Sequence, residues 1–537
     1  MKKRLLTILL VMAVVASSLT GCGGTTAATG TSTTGTSATA TGNTAAAATA
    51  TTNTGTTSSS GSKILRCASN ISNTTMDQMS THNGYQLNNI FDYLLYVKDD
   101  GSVDPWIITE WKFADDNMSC TLTMRDDVYF SCGAQMTSKD IQFSMMRPVK
   151  DRTMTSARTW AKLDNVEVID DTHFKCDFNA QWPTFLTDIS NLCVYHQADY
   201  EAKGNDAYFA LPCGAGQFKL DSFDSVNSSY VCSRNDKWWG WSKIDNVSNL
   251  DGYTFTCVAE DTTRVSALQT DEFDLIGLVP SDDVDLLKSA GKQVVENPEN
   301  RHIMLGLNYK GIFADENLRK AVSEAIDRQL IVDTVIGTGT VCKWPWVSGY
   351  SSNDSAAGYT YDLEDAKKLV AASSYDGSEI TLLTSQNTAT RVNELAQAIQ
   401  SMLMDAGFNV KIDMVEEATY DTMRSGGKYD IAIGVFNTPA GGDGYKELTE
   451  ILGGDIFGTG FKDSKFDALV AAVSSEMDTT KRQQAEIAAY QYVMDNYGPY
   501  LYLYCTTGIS AYSANVDIDS LDIDSASNWH IARLQMK

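Results

Sequence analysis

The 537-residue chain is poor in the residues that most catalytic and metal-binding chemistry needs. It has only five histidines, His82, His173, His196, His302 and His530, and none pair at the i, i+4 spacing of an H-E-x-x-H helix. Its eleven cysteines include no C-x-x-C pair, so neither a zinc ribbon nor a thioredoxin-type redox motif is indicated. No Gly-x-Ser-x-Gly elbow lies near a strand signal, which leaves nucleophilic hydrolysis without its usual frame. The acidic run Asp517, Asp519, Asp522 and Asp524 lacks the loop and closing Glu of a calcium site and reads as solvated strand faces. Positive charge is short as well: 42 Lys and Arg stand against 68 Asp and Glu, a net charge of −26. Such a body repels nucleic acid and anionic lipid head groups. No internal repeat is present, and no cofactor or metal is expected.

What is there begins at the N-terminus. Lys2, Lys3 and Arg4 precede an apolar run from Leu5 to Val15, too short for a membrane span, followed by Leu19-Thr20-Gly21-Cys22. This is the layout of an export signal over residues 1–21. Its end resembles the bacterial lipobox, which implies that the Cys22 thiol is lipidated and becomes the mature N-terminus. Losing the three basic residues would take the net charge from −26 to −29. Residues 22–62 are almost wholly Thr, Ala, Ser, Gly and Asn, without charge or aromatics, and cannot bury a core. They read as a tether with a root-mean-square span of roughly 30–40 Å. The expectation is an exported body held at the cell membrane on its extracellular face, either on a Gram-positive surface or in a periplasm.

The remaining body, about 475 residues, is too long for one compact core and calls for two or three lobes. Strands are expected at Lys63–Cys67, Cys120–Met124, Phe174–Phe178 and Tyr253–Val258 from their alternation. Helical spacing covers Asp315–Ile336, Leu363–Ala372, Arg391–Ala406 with Gly407 as its stop, and Thr480–Asn496 before Gly498-Pro499. Strands and helices alternate after residue 300, which points to an α/β lobe with some parallel sheet. Cysteines inside apolar alternation, such as Cys257 and Cys505, read as small buried hydrophobes. Disulfide connectivity is unreadable, and so many lone thiols suggest a reducing habitat.

Several blocks then occur in a fixed order. The first is Asp104-Pro105-Trp106, Glu110-Trp111, Thr121 to Phe130, and Gly133 through Thr137 to Ser144. Next come Pro212-Cys213-Gly214-Ala215-Gly216-Gln217-Phe218 and Arg234-Asn235-Asp236-Lys237-Trp238-Trp239. Asp261 to Arg264, Arg319-Lys320-Ala321 through Arg328, and Tyr361-Asp362 through Leu369 complete the series. Together they resemble the family 5 extracellular solute-binding proteins, the peptide- and nickel-binding group of ABC transporters. Ser131-Cys132 stand where the family has His-Asp. The resemblance implies an α/β, two-lobed periplasmic-binding-protein-like fold of type II with an extra subdomain in the first lobe. Lobe I would comprise 63–307 plus 508–537, with the subdomain at about 83–204, and lobe II 308–507. It also implies a non-enzymatic, monomeric receptor that closes over a solute and docks on ABC permease and ATPase partners.

Peptide is the expected ligand class. The family's peptide binders hold the ligand amine with an Asp just after a Trp; here Phe436 replaces the Trp, Asn437 follows, and Pro439 falls where the Asp would be. Asp443 is the candidate substitute, since a buried ammonium needs a charge partner. Arg424 is a candidate for ligand carboxylates, with a surface Arg as the alternative. Trp344 and Trp346 offer aromatic faces for sugar rings or apolar side chains, or else pack a lobe core. His82, Asn83, Ser385 and Gln386 lie in loops that line the cleft in relatives. An oligosaccharide is the alternative ligand within the family, and a sensor feeding a signalling partner is the alternative of another class.

Overall fold

The computed structural model describes residues 62–80, 87–98, 100–190, 192–386, 388–437, 442–521, 523 and 529–537, with Asn437 described by its backbone alone. Ten strands carry the large sheet: β1 (Ile64–Ser69), β2 (Phe218–Asp224), β3 (Ser229–Arg234), β4 (Gly252–Cys257), β5 (Leu275–Ile276), β6 (Gln293–Leu307), β7 (Glu379–Ser385), β8 (Asn409–Val415), β9 (Ile431–Asn437) and β10 (Tyr500–Tyr512). Their spatial order is β8-β7-β9-β6-β10-β5-β1-β4-β3-β2, and a short eleventh strand, Thr340–Val341, pairs with β10.

The sheet has two halves joined by its two longest strands. β6 and β10 pair antiparallel twice, over Gln293–Pro298 with Tyr512–Thr507 and over His302–Gly306 with Cys505–Tyr500. The register breaks between Pro298 and His302. Pro298 has no N–H to give to a ladder, so a break there costs little. Beyond it, β6 and β10 alternate between two cores. Ile303, Leu305, Leu307, Leu501 and Leu503 face one; Met304, Tyr500, Tyr502 and Cys505 face the other. This is the period-2 pattern of a strand buried on both faces.

A separate antiparallel sheet is built from Ile108–Phe113, Ser119–Met124, Leu163–Val168 and His173–Phe178. Helices form at Glu316–Ala325, Leu363–Ala372, Val392–Asp405 and Thr479–Asp495. The expected helix over Asp315–Ile336 is therefore interrupted. Asp327 leaves the helical backbone and its carboxylate accepts from the Leu330 amide, starting a new turn at Arg328.

The sequence blocks turn out to be structural ties. Asp92 is buried and accepts from the indoles of Trp106 (2.6 Å), Trp238 (2.7 Å) and Trp239 (2.9 Å), drawing two blocks onto one carboxylate. Arg264 donates to the carbonyls of Val258, Ala259 and Leu278. Arg319 does so to Phe313, Ala314, Asn496 and Tyr497. Arg328 does so to Ser323, Ile326 and Tyr502, and burial lowers its pKa to about 10. Each guanidinium fork thus fastens several backbone carbonyls from separate segments to one side chain. A disulfide joins Cys132 and Cys213; Cys67, Cys120, Cys176, Cys193, Cys232, Cys342 and Cys505 are buried thiols.

Candidate functional site

β7 runs parallel to both β8 and β9. Their carboxyl ends, Ser385, Val415 and Asn437, therefore lie along one edge, with Ser385 directly paired to Val415. Asn437 pairs on its other side with Arg301 of β6, which carries the edge to the Pro298–His302 break. Open α/β sheets bind ligands outside the carboxyl ends of such strands, where loops converge and backbone groups are left unpaired.

A hollow of about 430 Å³ opens at this edge, lined by Gln386, Met414, Val415, Glu416 and Glu417. Gln386, Glu416 and Glu417 are exposed and Met414 and Val415 half-buried. The Glu417 carboxylate accepts from the Ser385 hydroxyl at 2.5 Å, and Ser385 Oγ lies 2.9 Å from Thr388 Oγ1. Two carboxylates above an apolar floor can receive a cation that carries a hydrocarbon body.

Beside the edge, the segment from Gly442 to Leu452 is held by a buried polar network. Glu447 accepts from Tyr490 (2.8 Å) and Tyr502 (3.1 Å) and lies 3.1 Å from His302 Nε2. Burial first, and then the Glu447 charge, pushes both phenols well above their ordinary pKa. Arg482 bridges Asp443 (2.8 Å) and Glu486 (2.9 Å), and Ser351 donates to Glu486 at 2.6 Å. Burial and the nearby Asp443 raise the Glu486 carboxyl.

The residues singled out in the sequence fare differently. Gln386 lines the hollow, whereas Ser385 is fully buried and reaches it only through the hydroxyl that it donates to Glu417. Phe436 is half-buried one residue before the end of β9, and Asn437 ends that strand. His82, Asn83 and Cys22 lie outside the described residues. Trp344 and Trp346 do not offer faces to a ligand. They are only 3% and 2% exposed, both pack edge-on against Tyr490, and Trp344 donates to the Ser351 carbonyl. Asp443 is not a free amine anchor either: its carboxylate pairs with Arg482 and accepts from the Tyr445 amide. Arg424 stacks on Phe457 (3.8 Å) and Tyr420 (4.8 Å) and pairs with Asp421, beside the middle of β9 and away from its carboxyl end. Glu416 and Glu417 belong to no motif of the sequence. Their signal was positional: two acids directly after the alternating run Asn409–Val415, where a strand gives way to a helix.

Residues 102–455 match the family model described as bacterial extracellular solute-binding proteins, family 5 Middle. The chain belongs to this family. It is 25% identical over 461 residues to the periplasmic murein peptide-binding protein MppA of Escherichia coli (strain K12), covering 78% of this chain and 82% of that one. Among solved structures, NikA from Brucella suis in complex with Fe(III)-EDTA is similar with a TM-score of 0.78 at 19% identity, over 88% of this chain and 99% of that one. DppA from Helicobacter pylori in complex with the peptide STSA gives 0.70 at 20% identity, over 88% and 96%. The family 5 fold is therefore the two-lobed α/β architecture expected from the sequence blocks. As a family 5 member the chain is an extracellular or periplasmic solute-binding component of an ABC importer, not an enzyme. No helix among the described residues is long and apolar enough to cross a membrane.

Proposed function

We propose that this protein captures peptides at the carboxyl edge of β7, β8 and β9 and delivers them to its permease. The observation that carries the reading is the hollow with Glu416 and Glu417 over Met414 and Val415. It provides the negative charge that a peptide ammonium requires and that Asp443, paired with Arg482, does not. Gln386 and Phe436 border the same edge and are assigned to the ligand's polar and apolar remainder, Asn437 ends β9 there, and the buried Ser385 is assigned to positioning Glu417. Arg424, stacked on Phe457 and paired with Asp421 beside the middle of β9, lies outside this proposed site. The kinship with a murein peptide-binding protein supports the same class. The oligosaccharide reading loses its main support, because the Trp344 and Trp346 faces are packed inside the molecule.

The two halves of the sheet are the proposed lobes, dividing at the Pro298–His302 break and the facing residues Cys505–Thr507, which serve as the hinge, since Ile303, Leu305 and Leu307 already pack in the core of the second half. Residues 22–62 would tether a monomer through a lipid on Cys22. Cys22→Ser should then release the protein from membranes into the medium; retention in the membrane fraction would refute the anchor. For the ligand, native mass spectrometry of the full chain, purified without denaturation, should show adducts spaced like amino-acid residues. Hexose spacings would overturn the peptide reading.

A further inference from the structure

We propose that Cys132, Cys213 and His196 form a redox-gated site for a thiophilic divalent cation such as zinc, remote in sequence from the peptide edge and independent of it. Their donor atoms all lie within 4.8 Å of one another. The disulfide accounts for the two sulfurs but not for the imidazole. His196 Nδ1 lies 3.8 Å from Cys132 Sγ. A tetrahedral zinc bonded at about 2.3 Å to sulfur and about 2.0 Å to nitrogen separates those two atoms by about 3.6 Å.

The scaffold holds all three residues by contacts other than the S–S bond. Ser131 N donates to the Gly214 carbonyl at 2.8 Å, tying the two cysteine-bearing turns together. Gly214 packs so closely on Ile90 that an added Cβ would fall 2.1 Å from the Ile90 carbonyl oxygen, and Gly216 N donates to that carbonyl at 2.8 Å, which seats the Cys213 turn. The His196 ring stacks on Phe130 with centroids 4.8 Å apart, and its backbone N–H donates to the Tyr208 hydroxyl at 3.0 Å. Reduction of the disulfide thus leaves two thiols and an imidazole facing one point. Cys132 is exposed, His196 half-buried and Cys213 buried, which gives an ion a path from solvent and leaves a fourth position for water. The other close thiol pair, Cys342 and Cys505 at 3.0 Å, is fully enclosed and has no such path.

The chemistry balances simply. A dithiol reductant gives two electrons and two protons to the Cys132–Cys213 bond and becomes a disulfide itself. The divalent ion then displaces both thiol protons to solvent and forms two bonds to sulfur and one to nitrogen. Either state, cystine or metal thiolate, ties the turn at Cys132 to the turn at Cys213, so this strap survives in oxidising and reducing surroundings alike.

The test uses the full chain, reduced by a dithiol that is then removed under anaerobic conditions, with Co²⁺ as the optical probe. The reduced protein should bind one Co²⁺ with a thiolate-to-cobalt charge-transfer band, and the oxidised protein none. His196→Ala should weaken binding by about tenfold or more, at least the cost of losing an outer partner of a metal site. Zn²⁺ should also protect Cys132 of the reduced wild-type chain from alkylation, read by peptide mass spectrometry; this arm needs no variant and stands even where a substitution impairs folding. Absence of the band in the reduced chain, an undiminished band in Cys132→Ser, unchanged affinity in His196→Ala, or alkylation of Cys132 indifferent to Zn²⁺ would each overturn the proposal.

Discussion

Asp92 shows how much of this fold rests on single side chains. It is buried with three indole N–H donors and the Tyr93 amide around it, and burial outweighs those donors in raising its carboxyl above the ordinary range. Asp92→Ala would leave three indole donors unpaired, two of them on the buried Trp238 and Trp239, at roughly 1–3 kcal/mol for each buried donor, so a loss of about 3 kcal/mol is expected. Urea unfolding followed by tryptophan fluorescence would measure it, and Asp92→Asn, which keeps one acceptor, should lose less. The Asp77–Arg147 pair behaves in the opposite sense. Burial alone would raise Asp77, but the two-point contact with Arg147, at 2.8 and 2.7 Å, brings its carboxyl net below the usual value. A depressed acid binds fewer protons folded than unfolded, so its contribution is present above the ordinary carboxylate pKa and lost as pH falls through and below it. Arg147→Met should cost about 3–5 kcal/mol at neutral pH by stranding a buried carboxylate. In urea melts that penalty should shrink toward pH 3, because the stranded acid then takes up a proton; an equal penalty at both pH values would argue against the pair.

At the scale of elements, the parallel trio β7, β8 and β9 decides where chemistry can happen. Parallel pairing puts three strand ends and their loops on one side, which is how Gln386, Glu416 and Glu417 meet although 30 residues separate the first from the others. Glu417 also opens the helix Glu417–Ser425, so its charge sits favourably at a helix N-terminus. Glu417→Gln preserves the hydrogen bond from Ser385 while removing the charge. Peptide affinity should fall by about tenfold, in line with roughly 1.5–3 kcal/mol for a charged hydrogen bond, with the thermal midpoint little changed. Titration calorimetry with the peptide found by native mass spectrometry is the measurement. Unchanged affinity would remove Glu417 from the site.

At the scale of the whole molecule, the small antiparallel sheet region and the Gly442–Leu452 segment meet through polar contacts. Lys446 pairs with Asp188 at 3.1 Å, Lys162 donates to the Tyr445 hydroxyl at 2.6 Å, and Arg158 lies 3.7 Å from Glu450. Exposed polar contacts separate into water at small cost, which fits the proposed capture of a solute between surfaces that part and rejoin. The exposed Arg158–Glu450 pair contributes about 0.2–1 kcal/mol, so Arg158→Ala should weaken ligand binding by no more than about fivefold, through a smaller closed population. Small-angle scattering should show the variant more extended than the wild type at equal, subsaturating ligand. Identical profiles would deny the contact a part in closure.

The linear chain settled what depends on local spacing. Period-2 runs such as Phe174–Phe178 and the 3.6-period helix Leu363–Ala372 formed where expected, because each buries one face in any compact arrangement. The ordered blocks settled the family, because their Trp and Arg residues tie distant segments and few substitutes reach the same carbonyls and carboxylate. What a side chain faces depends on residues far away in sequence, and that only the tertiary structure decided. Trp344 and Trp346 could have lined a cleft until Tyr490, more than a hundred residues later, was seen to cover them. Asp443 could have met an amine until the helix from Thr479 delivered Arg482 to it. Likewise Cys132, His196 and Cys213 are spread over 81 residues and share one point only because two turns and a stacked ring are folded onto each other. Burial and pairing are properties of the assembled packing, and no local pattern encodes which distant partner arrives.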